Sequence, residues 1–517
     1  MKNTMIEAFD LKRQGYYKQA IEVYYKLLSE TEDNIEILVE LADLYFLMKN
    51  FAKATHYIEK VLELNPKHIQ CLNILKNIHL ESGKKKDALR LAEKIYNIDS
   101  NDSTKFSLLD LLYSYKEYSK VLEYIAETDS IECKYLIAQS QYNLGIYDEA
   151  LKFCLGNNDE NENTLLLMGK IYLKQNVTDK AKEVYKKLKE LDLNSAESLN
   201  FVGLNYIDEL ELDKAVECFK KAIELKENES SYHYNLGQAY FLKGWIEEAQ
   251  KCFNTAICLN PLEENYHYSL AYLLYRIGEF DNALMHLEGC NEENINSKIL
   301  KLSIKAEKGD LATPKIELEK MIKSNKDNEM ILFSLAKIYY KLDMFKQART
   351  MMEDVLKIND KPFEYKEFYI KLLLQLEETE LAKSKISELV EKHPKYYYAK
   401  VLEAEMCIIE KDFDELFDIA QELIELDLNH FEGYYYNSIA LFEKEDVNFA
   451  IESLKKAITL DVNNASLYVK MAEFYQALGK YEDAFEYIKE ASDIDKSAKN
   501  RELYMQLSAI VRKRNSQ

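Results

Sequence analysis

SSYHYNLGQAYFLKGWIEEAQKCFNTAICLNPLE, residues 230–263, is one unit of a pattern that runs through the whole 517-residue chain. From Ala249, Phe253 lies four positions on and Ala256 seven, the inward stripe of an amphipathic helix. Gly237 stands twelve positions before Ala249. Two antiparallel helices joined by a short turn approach closely only where their side chains are small. The stretch therefore predicts a helical hairpin that crosses at Gly237 and Ala249. Gly244 falls in the turn between the helices, where a left-handed residue is needed and glycine takes that conformation without steric cost.

The unit repeats on both sides. Alanines are spaced by 34 at Ala20, Ala54 and Ala88, at Ala181, Ala215, Ala249 and Ala283, at Ala348 and Ala382, and at Ala450 and Ala484. Leu416 sits midway across the 68-residue gap from Ala382 to Ala450. Twelve positions earlier stand Ala8, Ala42, Gly169, Gly203, Ala271, Ala336, Ala404, Ser438 and Ala472. LNP (64–66 and 259–261), IDS (98–100), IND (358–360) and LDV (460–462) recur at one phase. The Asn or Asp there is expected to end one helix in the left-handed region or to cap the next.

Leu236, Gly237, Tyr240, Ala249, Phe253, Ala256 and Pro261 meet the pattern W-x2-L-G-x2-Y, A-x3-F, P in register, with His233 in the Trp slot. Leu199, Gly203, Tyr206, Ala215, Phe219 and Ala222 match almost as well. The chain thus resembles the tetratricopeptide-repeat (TPR) family along its length. The resemblance implies an all-α, right-handed superhelical solenoid of about fifteen helical hairpins. In its 34-position frame, repeats begin near 1, 35, 69, 103, 131, 162, 196, 230, 264, 295, 329, 363, 397, 431 and 465. Residues 499–517 read as a capping helix and tail, with Leu503, Leu507 and Ile510 on one stripe.

The period breaks at the short repeats of 103–161, which end in GNNDENEN (156–163), and at EGCNEENINS (288–297). These breaks divide the array into 1–161, 162–294 and 295–498, read as sub-arrays with hinges or changes of curvature between them. Pro314 occupies an alanine position in the weakest repeat.

Composition agrees. Thirteen Gly and five Pro disfavour an all-β fold, and 47% hydrophobic residues suffice for a core. The net charge is −22 (68 Lys and Arg against 90 Asp and Glu), which opposes nonspecific binding to nucleic acid or anionic lipid. The N-terminus carries no signal-peptide pattern, and no segment has the roughly 18 consecutive apolar residues of a membrane span. The eight Cys are scattered without C-x-x-C and read as reduced, mostly buried thiols, so the cytoplasm is the expected compartment.

For catalysis the chain offers no P-loop, Rossmann glycine fingerprint, H-E-x-x-H or G-x-S-x-G. The repeats and cap fill these residues, so no enzyme, cofactor or metal is expected. GNNDENEN lacks the register of a calcium loop and reads as solvated. His233 and His267, one repeat apart, read as packing residues rather than ligands.

The expected role is a scaffold or adaptor that holds another protein or a peptide segment. In this family the first helices line a concave groove through frame positions 2, 5, 9 and 12. Carried over, these positions give Tyr234, Gln238 and Phe241; Asn265, Tyr268, Tyr272 and Tyr275; Phe333, Lys337 and Tyr340; and Tyr435 and Phe442. Exposed aromatics in a concavity are typical anchors for a partner chain. The competing reading of each ring is packing across neighbouring first helices. The family's carboxylate clamp, Lys at position 5 with Asn at position 9, is missing; repeat 230, for instance, has Tyr234 and Gln238. The alternatives are a structural subunit that assembles through its ends or convex face, self-association included, and a non-catalytic partner of a separate enzyme such as a glycosyltransferase. The sensor half of a peptide-responsive regulator is disfavoured, because the repeats begin at residue 1.

Overall fold

The structure is a computed structural model that describes residues 2–31, 33–125, 130–156, 161–291, 293–394, 396–495 and 498–514. Among them are fifteen helical hairpins and a last helix, Ala498–Arg514, with no strand. The first helices begin at Lys2, Ile35, Ile69, Asp102, Ile131, Glu162, Ala196, Ser230, Glu264, Ile295, Glu329, Phe363, Tyr397, Phe431 and Ala465. These starts fall within one residue of the frame read from the sequence, and the hairpins are numbered here as repeats 1 to 15. The chain forms two compact units, Met1–Val202 and Gly203–Gln517.

The small residues act where the hairpins cross. Ala20, Ala54, Ala215, Ala249, Ala348 and Ala450 are fully buried. A Cβ on Gly237 would stand 2.8 Å from the Phe253 ring, and one on Gly203 would stand 2.6 Å from the Phe219 ring. Each large ring therefore occupies the space that a Cβ on the preceding helix would need. Burying such a side chain contributes about 1.5–3 kcal/mol.

Every hairpin turns through one left-handed residue. Gly15, Gly83, Gly145, Gly244, Gly278, Gly309 and Gly479 supply it in seven repeats. Lys49, Lys116, Asn176, Leu210, Asp343, Glu377, Lys411 and Glu445 supply it in the other eight, with φ of 57–66°. The geometry is thus constant while the glycine is not. Between repeats the expected left-handed stop is not what forms. Asn65, Asp99 and Asn359 end their helices in extended conformation, and Asn260 and Asp461 likewise have negative φ, the five spanning −137° to −149°. Each backbone N–H still reaches back four residues, as from Asn65 to the Val61 carbonyl at 2.8 Å. Caps on the following helices come from Asn34, Asn101, Asn294, Asn328 and Asn464.

The shortened repeats lose length from their second helices. Most second helices have 12 to 14 residues, but repeat 4 keeps only Tyr118–Val121 and a 3-10 turn, Leu122–Tyr124. Repeat 5 keeps ten residues (Tyr147–Gly156) and repeat 9 keeps nine (Phe280–Glu288). First helices in the same repeats retain 13 residues. Residues 157–160 of GNNDENEN, residue 292 and residues 515–517 lie outside the described residues, so the calcium-loop reading and the tail fall there in whole or part. Pro314 is the third residue of its helix, Ala312–Ser324, where a missing N–H breaks no intrahelical bond. In the final helix Leu507 is buried against Ala484 and Ile488, while Ile510 is exposed.

Within unit 1, Lys12 of the first helix bridges Glu40 and Asp43 of the second repeat, each at 2.6 Å. The slot tyrosines Tyr45, Tyr172 and Tyr206 each carry over the ring a lysine from eight positions on: Lys53, Lys180 and Lys214. Within unit 2 a contact joins repeats 8 and 14. His430, at the start of repeat 14, donates through Nε2 to the Lys243 carbonyl in the turn of repeat 8, at 2.8 Å. A Cβ on Gly244 in that turn would lie 2.6 Å from the His430 ring.

Candidate functional site

Four consecutive first helices of unit 2 meet at a cavity of about 340 Å3 and a smaller adjoining one of about 150 Å3. They are Glu264–Arg276, Ile295–Glu307, Glu329–Lys341 and Phe363–Gln375. Frame positions 2, 5 and 9 supply most of the side chains. Repeat 10 gives Ile299 and Ser303, repeat 11 Met330, Phe333 and Lys337, and repeat 12 Glu364, Glu367 and Lys371. Repeat 9 adds Tyr268, Tyr272, Tyr275 and Arg276.

Five of the twelve residues expected at a partner groove therefore share this wall: Tyr268, Tyr272, Tyr275, Phe333 and Lys337. The others are engaged elsewhere. Tyr234 packs on Tyr266 (ring centroids 4.8 Å) and bonds Ser269 at 3.1 Å, and Gln238 donates to its hydroxyl at 2.8 Å. Phe241 meets Tyr272 edge-on at 6.0 Å. Asn265 donates to Glu263 at 2.9 Å. Tyr340 lies edge-on to Phe345 and Phe368. Tyr435 packs on Tyr436, and Phe442 stacks on Phe474 at 4.0 Å. For Tyr234, Phe241, Tyr340 and Phe442 the reading of rings packed across neighbouring first helices is the one observed.

The acidic side of the wall was missed, although the frame pointed to it. Glu364, Glu367 and Lys371 stand at positions 2, 5 and 9 of repeat 12, but a search for aromatic anchors passes over them. Glu364 accepts from the Tyr272 hydroxyl at 2.5 Å and from Lys337 at 3.3 Å. Glu367 accepts from the Tyr396 hydroxyl. Glu307 pairs with Lys341 at 2.5 Å. Burial and the neighbouring Glu364 push the phenol of Tyr268 up to about 12. Tyr272 is raised further by burial and the same carboxylate. Burial works against charge on Arg276, yet Tyr272 and Glu364 hold it charged above its ordinary value. Burial also raises the Glu367 carboxyl, against the lowering effect of Tyr396, Lys371 and Arg276.

No group of His, Cys, Asp and Glu fit to hold a metal ion occurs among the described residues. His233 and His267 each bond a backbone carbonyl six residues back, Glu227 at 2.8 Å and Pro261 at 3.1 Å. No helix among the described residues is long and apolar enough to cross a membrane. Of the eight free thiols, five are buried and only Cys258 is exposed.

Family models match much of the chain. One described as anaphase-promoting complex, cyclosome, subunit 3 covers residues 13–94 and 81–157. Models of the tetratricopeptide repeat cover 163–192, 203–244, 230–262, 331–362 and 465–497. The TPR repeat-containing protein MJ1428 of Methanocaldococcus jannaschii is 24% identical over 229 residues, 37% of this chain and 39% of that one. The match thus spans well under half of that relative's length. Among solved structures, the APC/C hetero-tetramer Cut9–Hcn1 aligns at 14% identity over 85% of this chain and 96% of that one, with a TM-score of 0.48. Yeast Tom70 aligns at 17% over 99% and 96%, TM-score 0.37. Naa15/Naa10 bound to HypK-THB aligns at 13% over 99% and 96%, TM-score 0.32.

Proposed function

This chain belongs to the tetratricopeptide-repeat family, and from that premise we propose that it is a non-catalytic binding scaffold for an extended segment of another protein. The observation that carries the proposal is the cavity to which the first helices of repeats 9 to 12 all contribute. A surface built from one register across four repeats suits a partner that is itself extended and repeats its backbone spacing. Shortening falls on the second helices, so the first-helix wall is kept even in the short ninth repeat. The free thiols suit a reducing compartment, and the cytoplasm is the one proposed.

The test is a displayed peptide library selected on the full chain, followed by affinities for the wild type and for Lys371→Trp. Lys371 is exposed on the cavity wall, so the indole fills the opening without truncating the core. Selected segments should lose affinity by about ten-fold or more, as expected when a desolvated anchor is excluded. Undiminished binding of every selected segment would move the site away from this cavity.

A second reading, a subunit of a larger assembly, is favoured by the match of residues 13–157 to the anaphase-promoting complex subunit model. It predicts that a stable complex forms through unit 1 alone and survives Lys371→Trp.

A further inference from the structure

We propose that the cavity of repeats 9 to 12 is a receptor for an arginine side chain of the partner segment, and that Lys337 is its resident stand-in. The inference rests on the groove-binding reading above and gives it a chemistry.

Carboxylates and aromatic faces converge there. Glu307, Glu364 and Glu367 share the wall with the rings of Tyr275, Phe333 and Phe368. An aromatic face beside a carboxylate attracts a cation through both the ring quadrupole and the charge. The protein demonstrates this with its own side chain. The Lys337 ammonium lies 4.4 Å from the Phe333 centroid and 5.6 Å from that of Tyr275, and it reaches Glu364 at 3.3 Å. Its carboxylate bond is long beside the roughly 2.7–2.9 Å of a good charge-assisted one. The stand-in is held loosely.

The wall holds three bases, Arg276, Lys337 and Lys371, against the carboxylates Glu307, Glu364 and Glu367, but among the described residues Lys337 alone of these bases forms an ion pair with a carboxylate of the wall. Glu367 in repeat 12 and Glu405 in repeat 13 stand at frame positions 5 and 9 of successive first helices, both half-buried. Among the described residues neither forms an ion pair within 4.0 Å, and Tyr396 donates to Glu367. A sequestered carboxylate bonded only by neutral donors is costly, and an incoming cation relieves that cost. Burial raises both carboxyls, against the lowering effect of Lys371 at each and of Tyr396 and Arg276 at Glu367. Arginine suits the site better than lysine. Its planar guanidinium stacks on a ring face while offering two parallel N–H groups to one carboxylate, and it sheds water more readily.

Three dye-labelled peptides test the idea: Gly-Ser-Arg-Leu-Arg-Ser-Gly, the same frame with citrulline for arginine, and the same frame with glutamate. Fluorescence anisotropy on the full chain should rank arginine about ten-fold or more above citrulline, the worth of a hydrogen bond to a charged group. Glu367→Gln should erase that ranking. Lys337→Gln should tighten arginine binding, a gain that damage to the fold cannot produce. Equal binding of the arginine and citrulline peptides, blocked by Lys371→Trp, would overturn the arginine assignment and leave the groove reading standing. Preference for the glutamate peptide would do the same. Arginine binding that Glu367→Gln leaves intact, or that Lys337→Gln weakens, would place the cation elsewhere. Binding of none of the three, at concentrations where library-selected segments bind, would also refute the assignment.

Discussion

Replacing His430 with Phe should loosen the contact between repeats 8 and 14, and by an amount that depends on pH. Nε2–H donates to the Lys243 carbonyl at 2.8 Å, Nδ1 faces Glu432 at 3.5 Å, and Asp427 lies 4.0 Å from Nε2. The ring rests on Tyr397 at 4.4 Å and meets Tyr398 at 6.1 Å. Phe keeps the ring contacts and loses all three polar ones. A hydrogen bond from a charged donor is worth about 1.5–3 kcal/mol, against about 0.5–1.5 for a neutral one. Burial disfavours the charged imidazole, but Glu432, the Lys243 carbonyl and Asp427 outweigh it and raise its pKa. The His430 contribution is therefore complete below the unfolded value of about 6.5 and is lost in part as pH rises through the higher folded value. The residue that persists is the neutral bond to Lys243. Hydrogen exchange of the peptide over residues 240–250 reads this locally and avoids assuming one cooperative transition for two units. At pH 6 the variant should exchange there roughly 10- to 150-fold faster than the wild type, the equivalent of about 1.5–3 kcal/mol. By pH 9 the ratio should shrink by about one power of ten. A ratio that stays constant from pH 6 to pH 9, or one below two-fold throughout, would refute the reasoning.

The remaining predictions concern the hairpins and the thiols. Glu377→Gly should stabilise the chain by about 0.5–1 kcal/mol, because the exposed Glu377 sits at φ 59° and glycine relieves that strain at some entropic cost; a lowered urea midpoint would contradict it. Ala249→Phe should cost about 1–3 kcal/mol by overpacking a fully buried crossing, and an unchanged melting profile would disprove the register. Cys258 should react first with a thiol reagent at pH 8. Cys154 and Cys407, pushed up to about 12 chiefly by burial, should wait for unfolding. A fast phase that survives Cys258→Ser would disagree.

The fold was legible because its determinants are local and recur. Fifteen first-helix starts could be placed within a residue because most repeats carry the small crossing residue and the period carries the register through the rest, as at Lys76 and Ile370. The helix ends were read less well. An Asn or Asp at a boundary is compatible with a left-handed stop or an extended one, and only the backbone decides between them. The eight turns without glycine left no mark at all, since Lys49 or Leu210 reads as an ordinary helical residue.

The site was half legible for a different reason. Frame positions say which side chains face inward, and Tyr268, Tyr272, Tyr275, Phe333 and Lys337 met at one wall as that rule implies. They do not say which of those side chains another ring will cover. Phe241 is taken up by Tyr272 and Phe442 by Phe474, and both partners lie one repeat on. Glu364 and Glu367 were available to the same rule but are not aromatic. The bond between His430 and Lys243 joins residues 187 apart and has no sequence signature.

That separation also has a meaning in time. Each hairpin needs only its own residues and a neighbour, so it is able to pack as soon as it emerges from a ribosome. At about 5–20 residues per second, Lys243 must wait roughly 10–40 s before His430 has been made. Throughout that interval the turn of repeat 8 presents a free carbonyl and a glycine with open space above it. The nascent scaffold is thus a succession of finished modules whose connection from repeat 8 to repeat 14 is outstanding, and the closing of that connection is set by the pace of translation rather than by the speed of helix packing.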